Sequence, residues 1–215
     1  MNNNMMLLPL FLCTILSACL AFEVTNSPPL IDVPTYALAT VCRDGTTNMN
    51  ILTYATPISI RPDRIWSIGL FKGTLSHENF QRTGRAILQL LDESHSKLVP
   101  SLGGTCGRDV DKRAESEKLN FPWVKLPNSS ENDEKDELQQ QPLVLPGCPH
   151  YIVLSLVDGK LIDAGSHDVA LCKVDEMFVS DDCELDDTAS TKASYLSTNR
   201  LREKGIITEQ GRVAE

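Results

Sequence analysis

Lys72, Gly73 and Thr74 are the residues best suited to act on a small charged ligand. They lie in Gly69 to Phe80, GLFKGTLSHENF, directly after the apolar run Ile65-Trp66-Ser67-Ile68. A lysine supplies a point charge and a glycine lets the backbone approach a ligand closely. A helix starting just beyond adds amides with no partner inside the helix. That combination suits an anion. The same tripeptide also reads as an ordinary exposed strand-to-helix turn, and local sequence leaves both open. His77 reads as a first-turn helix residue.

Other chemistries find little support. No G-x-S-x-G elbow is present, and His77, His95 and His150 lack metal-ligand spacing with any partner. No metal site is expected. Of seven cysteines, Cys13 and Cys19 lie in the apolar leader; Cys42, Cys106, Cys148, Cys172 and Cys183 show no C-x-x-C pairing. They read as isolated small core residues, not as a disulfide framework. A net charge of −9 over 215 residues argues against nucleic acid and against adhesion to anionic membranes. One phosphorylated cofactor needs only a local positive site, so it remains compatible.

The elements that must position these residues are mostly strands. Tyr36 onward, YALATVCRDG, ends in the hairpin signal Asp44-Gly45, and Asn50 to Ile60, NILTYATPISI, returns as one extended run with Pro57 marking an edge or bulge. Arg64 to Phe71 is a third strand. Ser76 is the expected N-cap of a two-turn helix closed by Gly84, and Arg85 to Asp92 the next strand. SHSKLVPSLGG and DVDKRAESEKL read as short helices around Gly103-Gly104-Thr105-Cys106-Gly107. A second Asp-Gly hairpin is expected at Asp158-Gly159, followed by the strand DVALCKVDEMFV. Six or seven short strands and few helices predict a mainly β fold, an antiparallel barrel with peripheral short helices. With no repeated βαβ unit and no G-x-G-x-x-G, a Rossmann domain is disfavoured.

The ends and insertions read differently. Met5 to Leu20 is uncharged and apolar, and residues 1–21 read as a signal or targeting segment with cleavage near Ala18 to Ala21. At about 16 residues the run is short for a membrane span, which needs about 20. Leu16-Ser17-Ala18-Cys19 resembles a lipobox, and Ala21-Phe22 resembles the junction of a bipartite plastid leader. Residues 22–33 form an extended lead-in, 34–187 the main domain with an acidic insertion at 127–141, and 188–215 a C-terminal helix and arm. The insertion carries the sequon Asn128-Ser129-Ser130.

The order TNMNILTYATPISIRPDRIWSIGLFKGTLSHENFQRTGRAILQLL, GTCGRDVDK, then GSHDVALCKVDEMF resembles the flavin reductase-like family of FMN-binding split barrels. The tail YLSTNRLREKGII is similar to that family's C-terminal segment. The resemblance spans roughly Leu30 to Gly211 and implies a mainly β fold, an antiparallel split β-barrel of Greek-key type with peripheral short helices. It implies that Asn50, Leu52, Thr53, Tyr54, Ala55 and Thr56 line a flavin, and that Lys72, Gly73 and Thr74 hold the phosphate of FMN. It implies that His167 lies near the flavin or an incoming nicotinamide, as the one candidate catalytic residue. Here the family's Gly-Asp-His reads Gly165-Ser166-His167, with a serine replacing the acid. The alternative for His167 is a turn histidine bonded to Asp168. Arg108-Asp109 and Asp111-Lys112 would close over the cofactor or cap a helix. Trp66 is expected in the core and Trp123 as a cover over the flavin.

The implied function is an oxidoreductase passing hydride from NAD(P)H to FMN, as a homodimer. Its alternative is a non-catalytic flavin-binding protein in the secretory pathway or an organelle.

Overall fold

Tyr36–Val41, YALATV, is buried at every position, which only a strand covered on both faces can be. Leu38 packs with one hydrophobic cluster, Ala37 and Ala39 with another. This strand, β1, is the seam between two cores. The computed structural model describes residues 29–127, 140–180 and 195–214. The leader 1–21, most of the lead-in, most of the acidic insertion, the acidic link after Ser180 and Cys183 lie outside the described residues.

Six further strands follow: β2 (Thr47–Leu52), β3 (Ala55–Ser59), β4 (Ile65–Phe71), β5 (Arg85–Leu90), β6 (His150–Ala164) and β7 (His167–Val179). They form one antiparallel sheet in the order β2-β1-β5-β6-β7-β4-β3. β2 and β3 are therefore the two outer strands, yet only Thr53-Tyr54 joins them. Three Cα steps reach at most about 11 Å, so the sheet must curl until its edges nearly meet. That is a split barrel, as the sequence predicts.

The barrel interior is filled from nearly every strand, by residues such as Leu38, Leu52, Ile68, Leu70, Leu88, Leu154 and Cys172, with Phe80 fully buried among them. Phe80 comes from α1 (Leu75–Thr83), and its burial stabilises by about 1.5–3 kcal/mol. Trp66 sits half-buried at this core, edge-on to Tyr36. The outer core lies where α2 (Val99–Gly103), α4 (Thr198–Glu203) and the preceding 3-10 turn Glu93–Leu98 cover the sheet; α3 (Lys112–Lys118) follows α2. Trp123 is buried in that outer core, so it is a packing residue and not a cofactor cover.

Several local expectations are corrected. The run Asn50 to Ile60 is two strands, broken at Thr53-Tyr54. The N-cap of α1 is Thr74, whose Oγ1 accepts the His77 N–H and donates to the Phe71 carbonyl. Ser76 instead accepts a hydrogen bond from Asn48. Asp158-Gly159 does not turn the chain: both have positive φ inside β6, where the register with β7 shifts between Leu156 and Leu161. Residues 157–160 of β6 stand against Leu171 alone, so the strand bulges there, and the actual hairpin turn is Gly165-Ser166. Asp44-Gly45 does turn β1 into β2, and Gly84 closes α1 with φ +64°. Cys42, Cys106, Cys148 and Cys172 are free thiols, the last two buried. Among the described residues no helix is long and apolar enough to cross a membrane, and no His, Cys, Asp and Glu cluster suits a metal.

Candidate functional site

The β4–β7 register places Phe71 opposite His167 and Leu70 opposite Asp168. This brings the loop after β4 beside the β6–β7 hairpin, and the Lys72 N–H closes the corner on the Ser166 carbonyl at 3.0 Å. Lys72 Nζ then reaches Asp163 Oδ1 at 2.8 Å and Asp168 Oδ1 at 3.2 Å. The other oxygen of Asp168 lies 2.7 Å from His77 Nε2, at the start of α1. Hydrogen bonding to Asp163 raises the Lys72 pKa; burial opposes that rise, and the Asp168 hydrogen bond adds to it. The Lys72 and Gly165 bonds hold Asp163 below the ordinary carboxylate range; the His77 bond, then Lys72, do the same for Asp168.

Gly73 adopts φ +81°, with nothing within 4 Å of where a Cβ would stand. Its carbonyl accepts from Arg108 Nη1 at 2.9 Å, and the same guanidinium pairs with Glu78 on α1. Arg108 is brought there by Gly107, where a Cβ would lie 2.0 Å from Asn48 Oδ1. Asn48 in turn donates to Ser76 Oγ at 2.7 Å, so β2, the start of α1 and the Gly107 loop lock together. Of the other candidate caps, Asp111 takes the Arg113 and Ala114 amides at the start of α3. Lys112 is buried and donates to the Leu102 carbonyl.

His167 stands edge-on to two aromatic rings, Tyr54 and Phe71, each with centroids at 5.2 Å. Its Nδ1 lies 3.0 Å from Ser166 Oγ. Asp168 does not bond it, because that carboxylate is taken by His77 and Lys72. Tyr54 and Phe71 are more than half exposed. Asn50 lies two residues beyond Asn48 on the same face of β2. Its Nδ2 donates to the Ile51 carbonyl, while its buried Oδ1 has no partner among the described residues. A buried acceptor without a donor is costly in a finished core.

The structure therefore gathers Lys72, Gly73, Thr74 and His167 at one corner, with Tyr54 touching His167. Thr53 and Ala55 are half-buried beside Tyr54, and Thr56 is exposed. The Leu52 side chain belongs to the interior core, leaving only its backbone for a ligand. Sequence reasoning missed Asn48 and the carboxylates of Asp163 and Asp168 on Lys72. The acidic pair flanking the Gly165-Ser166 turn was visible as charge, but its target was not. A separate cavity of about 420 Å³ lies at the far end of α1, lined by residues including Cys42, Arg43 and Arg82; no predicted site residue lines it.

An antiparallel barrel split between its edge strands, with a charged loop and a histidine hairpin at one corner, defines a class of flavin-handling domains. A flavin reductase-like domain model matches residues 32–190, and the chain belongs to that family. No protein with a curated description matches the chain in sequence. Among solved structures, the flavoredoxin of Desulfovibrio vulgaris (Miyazaki F) superposes with a TM-score of 0.60 at 17% identity, over 78% of this chain and 81% of that one. An FMN-binding protein from Thermus thermophilus, solved with bound p-hydroxybenzaldehyde, gives 0.58 at 15%, over 76% and 83%. The NADH:FAD oxidoreductase of Streptomyces globisporus C-1027 gives 0.54 at 13%, over 69% and 76%. At these identities the likeness is one of fold.

The residues present suit a flavin. Asn50 Oδ1 offers a buried acceptor to a ring N–H, and Gly73 with the first amides of α1 offers donors to a phosphate. Lys72 adds its charge only if it is shared with, or released by, its two carboxylates.

Proposed function

We propose that the chain binds FMN and acts as a flavin reductase-like oxidoreductase, using NAD(P)H as hydride donor. The observation that carries this is the buried Asn50 Oδ1, without a partner among the described residues, in a chain of this family. The bound flavin would supply the redox chemistry. The chain's own residues do the rest. Asn50 and the backbone of Leu52 to Thr56 orient the ring, Gly73 and Thr74 with the start of α1 receive the phosphate, and Lys72 balances its charge. His167, held by Tyr54 and Phe71, covers the corner where a nicotinamide would approach. Hydride transfer needs no acid or base from the protein, so the His77–Asp168 pair is given no catalytic part.

A homodimer is part of this proposal. Tyr54, Ile58, Ile60, Phe71 and Ile162 are all more than half exposed, and three of them lie on or beside the unpaired edge strand β3. Apolar exposure along a sheet edge favours a partner surface. For the compartment we propose entry through the leader at 1–21, to an organelle such as a plastid or to the exterior. NAD(P)H is scarce outside cells, which favours an organelle for the active enzyme.

The second reading is flavin binding without reduction, favoured by Ser166 in place of the family's acid. Titration of purified protein with FMN, followed by flavin fluorescence, tests both. A protein that leaves FMN fluorescence unchanged overturns both. NADH or NADPH oxidation by the FMN-loaded protein then separates reductase from binder.

A further inference from the structure

Lys72 is not a free cation. The β6–β7 register sets Asp163 directly opposite Asp168. Like charges facing each other across an antiparallel pair repel. Lys72 relieves that repulsion by reaching both, at 2.8 and 3.2 Å. Two carboxylates against one ammonium leave the corner with excess negative charge before any phosphate arrives.

The two carboxylates are held differently. Asp168 is only 14% exposed, fixed in the β4–β7 ladder and bonded to His77. Asp163 is 79% exposed, and among the described residues its carboxylate is held by the Gly165 N–H and Lys72. The inner carboxylate is built in, and the outer one is the easier to displace. The ammonium's third N–H is open to a phosphate, and where the phosphate displaces a carboxylate it is the exposed Asp163, because Asp168 is bonded to His77 as well.

We infer that Asp163 is a specificity-determining residue of this loop, a carboxylate that competes with the ligand's phosphate for Lys72. It thereby narrows the affinity gap between phosphorylated and unphosphorylated flavins. This inference rests on the flavin-binding proposal above. It predicts the sign of an effect: removing an acidic residue next to the phosphate grip tightens FMN and leaves riboflavin, which has no phosphate, unchanged. If Asp163 instead held Lys72 in position for the phosphate, the same change would loosen FMN.

Asp163→Asn keeps an oxygen for the Gly165 N–H and removes the charge. Asp158→Asn, an equal charge change at an exposed bulge of the same strand, controls for the field of an acidic protein. Dissociation constants for FMN and for riboflavin are measured by fluorescence. Accessibility of the Lys72 amine to an acylating reagent is followed by mass spectrometry without ligand. The expected result is a two- to five-fold, or roughly surface-ion-pair-sized, tightening of FMN relative to riboflavin. Faster labelling of Lys72 should accompany it in Asp163→Asn, with neither change in Asp158→Asn. An unchanged or weakened FMN-to-riboflavin preference, unchanged Lys72 labelling, or an equal shift in Asp158→Asn overturns the inference and leaves flavin binding standing. If neither flavin binds the wild-type chain, the flavin proposal itself falls, and the competition with it.

Discussion

Two regions of this molecule each contain a His–Asp pair and a lysine, and use them oppositely. On the helical flank, His95 Nδ1 lies 2.6 Å from Asp92 Oδ1, three residues away. Its Nε2 lies 3.0 Å from the Pro146 carbonyl, and the ring is fully buried. Asp92 caps the 3-10 turn through Ser94. On α3, Lys112 is buried and donates to the Leu102 carbonyl. At the loop corner, His77 meets Asp168 at 2.7 Å across 91 positions, and that carboxylate is shared with an accessible lysine. In the flank both imidazole nitrogens face protein partners, so the pair is a frame. At the corner the pair ends on a lysine that can exchange partners, so it can respond to a ligand.

Four measurements separate frame from corner. The largest effect is expected for His95→Ala, which leaves the Asp92 N–H and the Pro146 carbonyl facing a void. It should cost about 2–4 kcal/mol by urea unfolding, against about 1 kcal/mol for His77→Ala. Equal costs would erase the distinction.

The second concerns the buried lysine. Burial pushes Lys112 down to about 8, from 10.5 in an unfolded chain. The unfolded chain then holds more protons between those values, so stability should rise by about 3 kcal/mol as the pH climbs through that window. Lys112→Met should flatten the rise. Lys72 has the opposite sign: its pKa is raised by Asp163, so its contribution is full below 10.5 and fades only at higher pH.

Third, Lys72→Ala should weaken FMN about ten-fold, as for loss of one charge-assisted contact, and spare riboflavin. Equal loss of both ligands would take the lysine out of phosphate binding. The smallest effect is on the acid limb. Asp163 and Asp168 have lowered pKa values, so their contribution is present above 3.8 and lost as the pH falls below it. Replacing both by Asn should flatten unfolding midpoints compared between pH 6 and pH 3.

What could be read from the chain follows from how local each feature is. Asp44-Gly45 and Gly84 act within a few residues of themselves, and each stands where expected. Asp158-Gly159 has the same turn chemistry, but strand pairing on both sides absorbs it as a bulge, and pairing is invisible in a single sequence. Thr74 and Ser76 are both plausible caps two residues apart. The choice was made by Asn48, which claims Ser76 from another strand. Lys72 was legible as a cation in an anion-friendly loop. Its carboxylates come from a hairpin 91 residues later, and no local pattern could pair them.

The Thr53-Tyr54 link has a kinetic consequence. The β1–β2, β3–β4 and β6–β7 hairpins can each form from neighbouring chain, but the β4–β7 ladder joins segments far apart in sequence. Long-range pairing is the slow step in β topologies. Until it forms, β3 and β4 hang from β2 by two residues, and the Lys72 loop has no hairpin to meet. The corner that would hold a ligand should therefore be among the last parts of the chain to assemble during refolding.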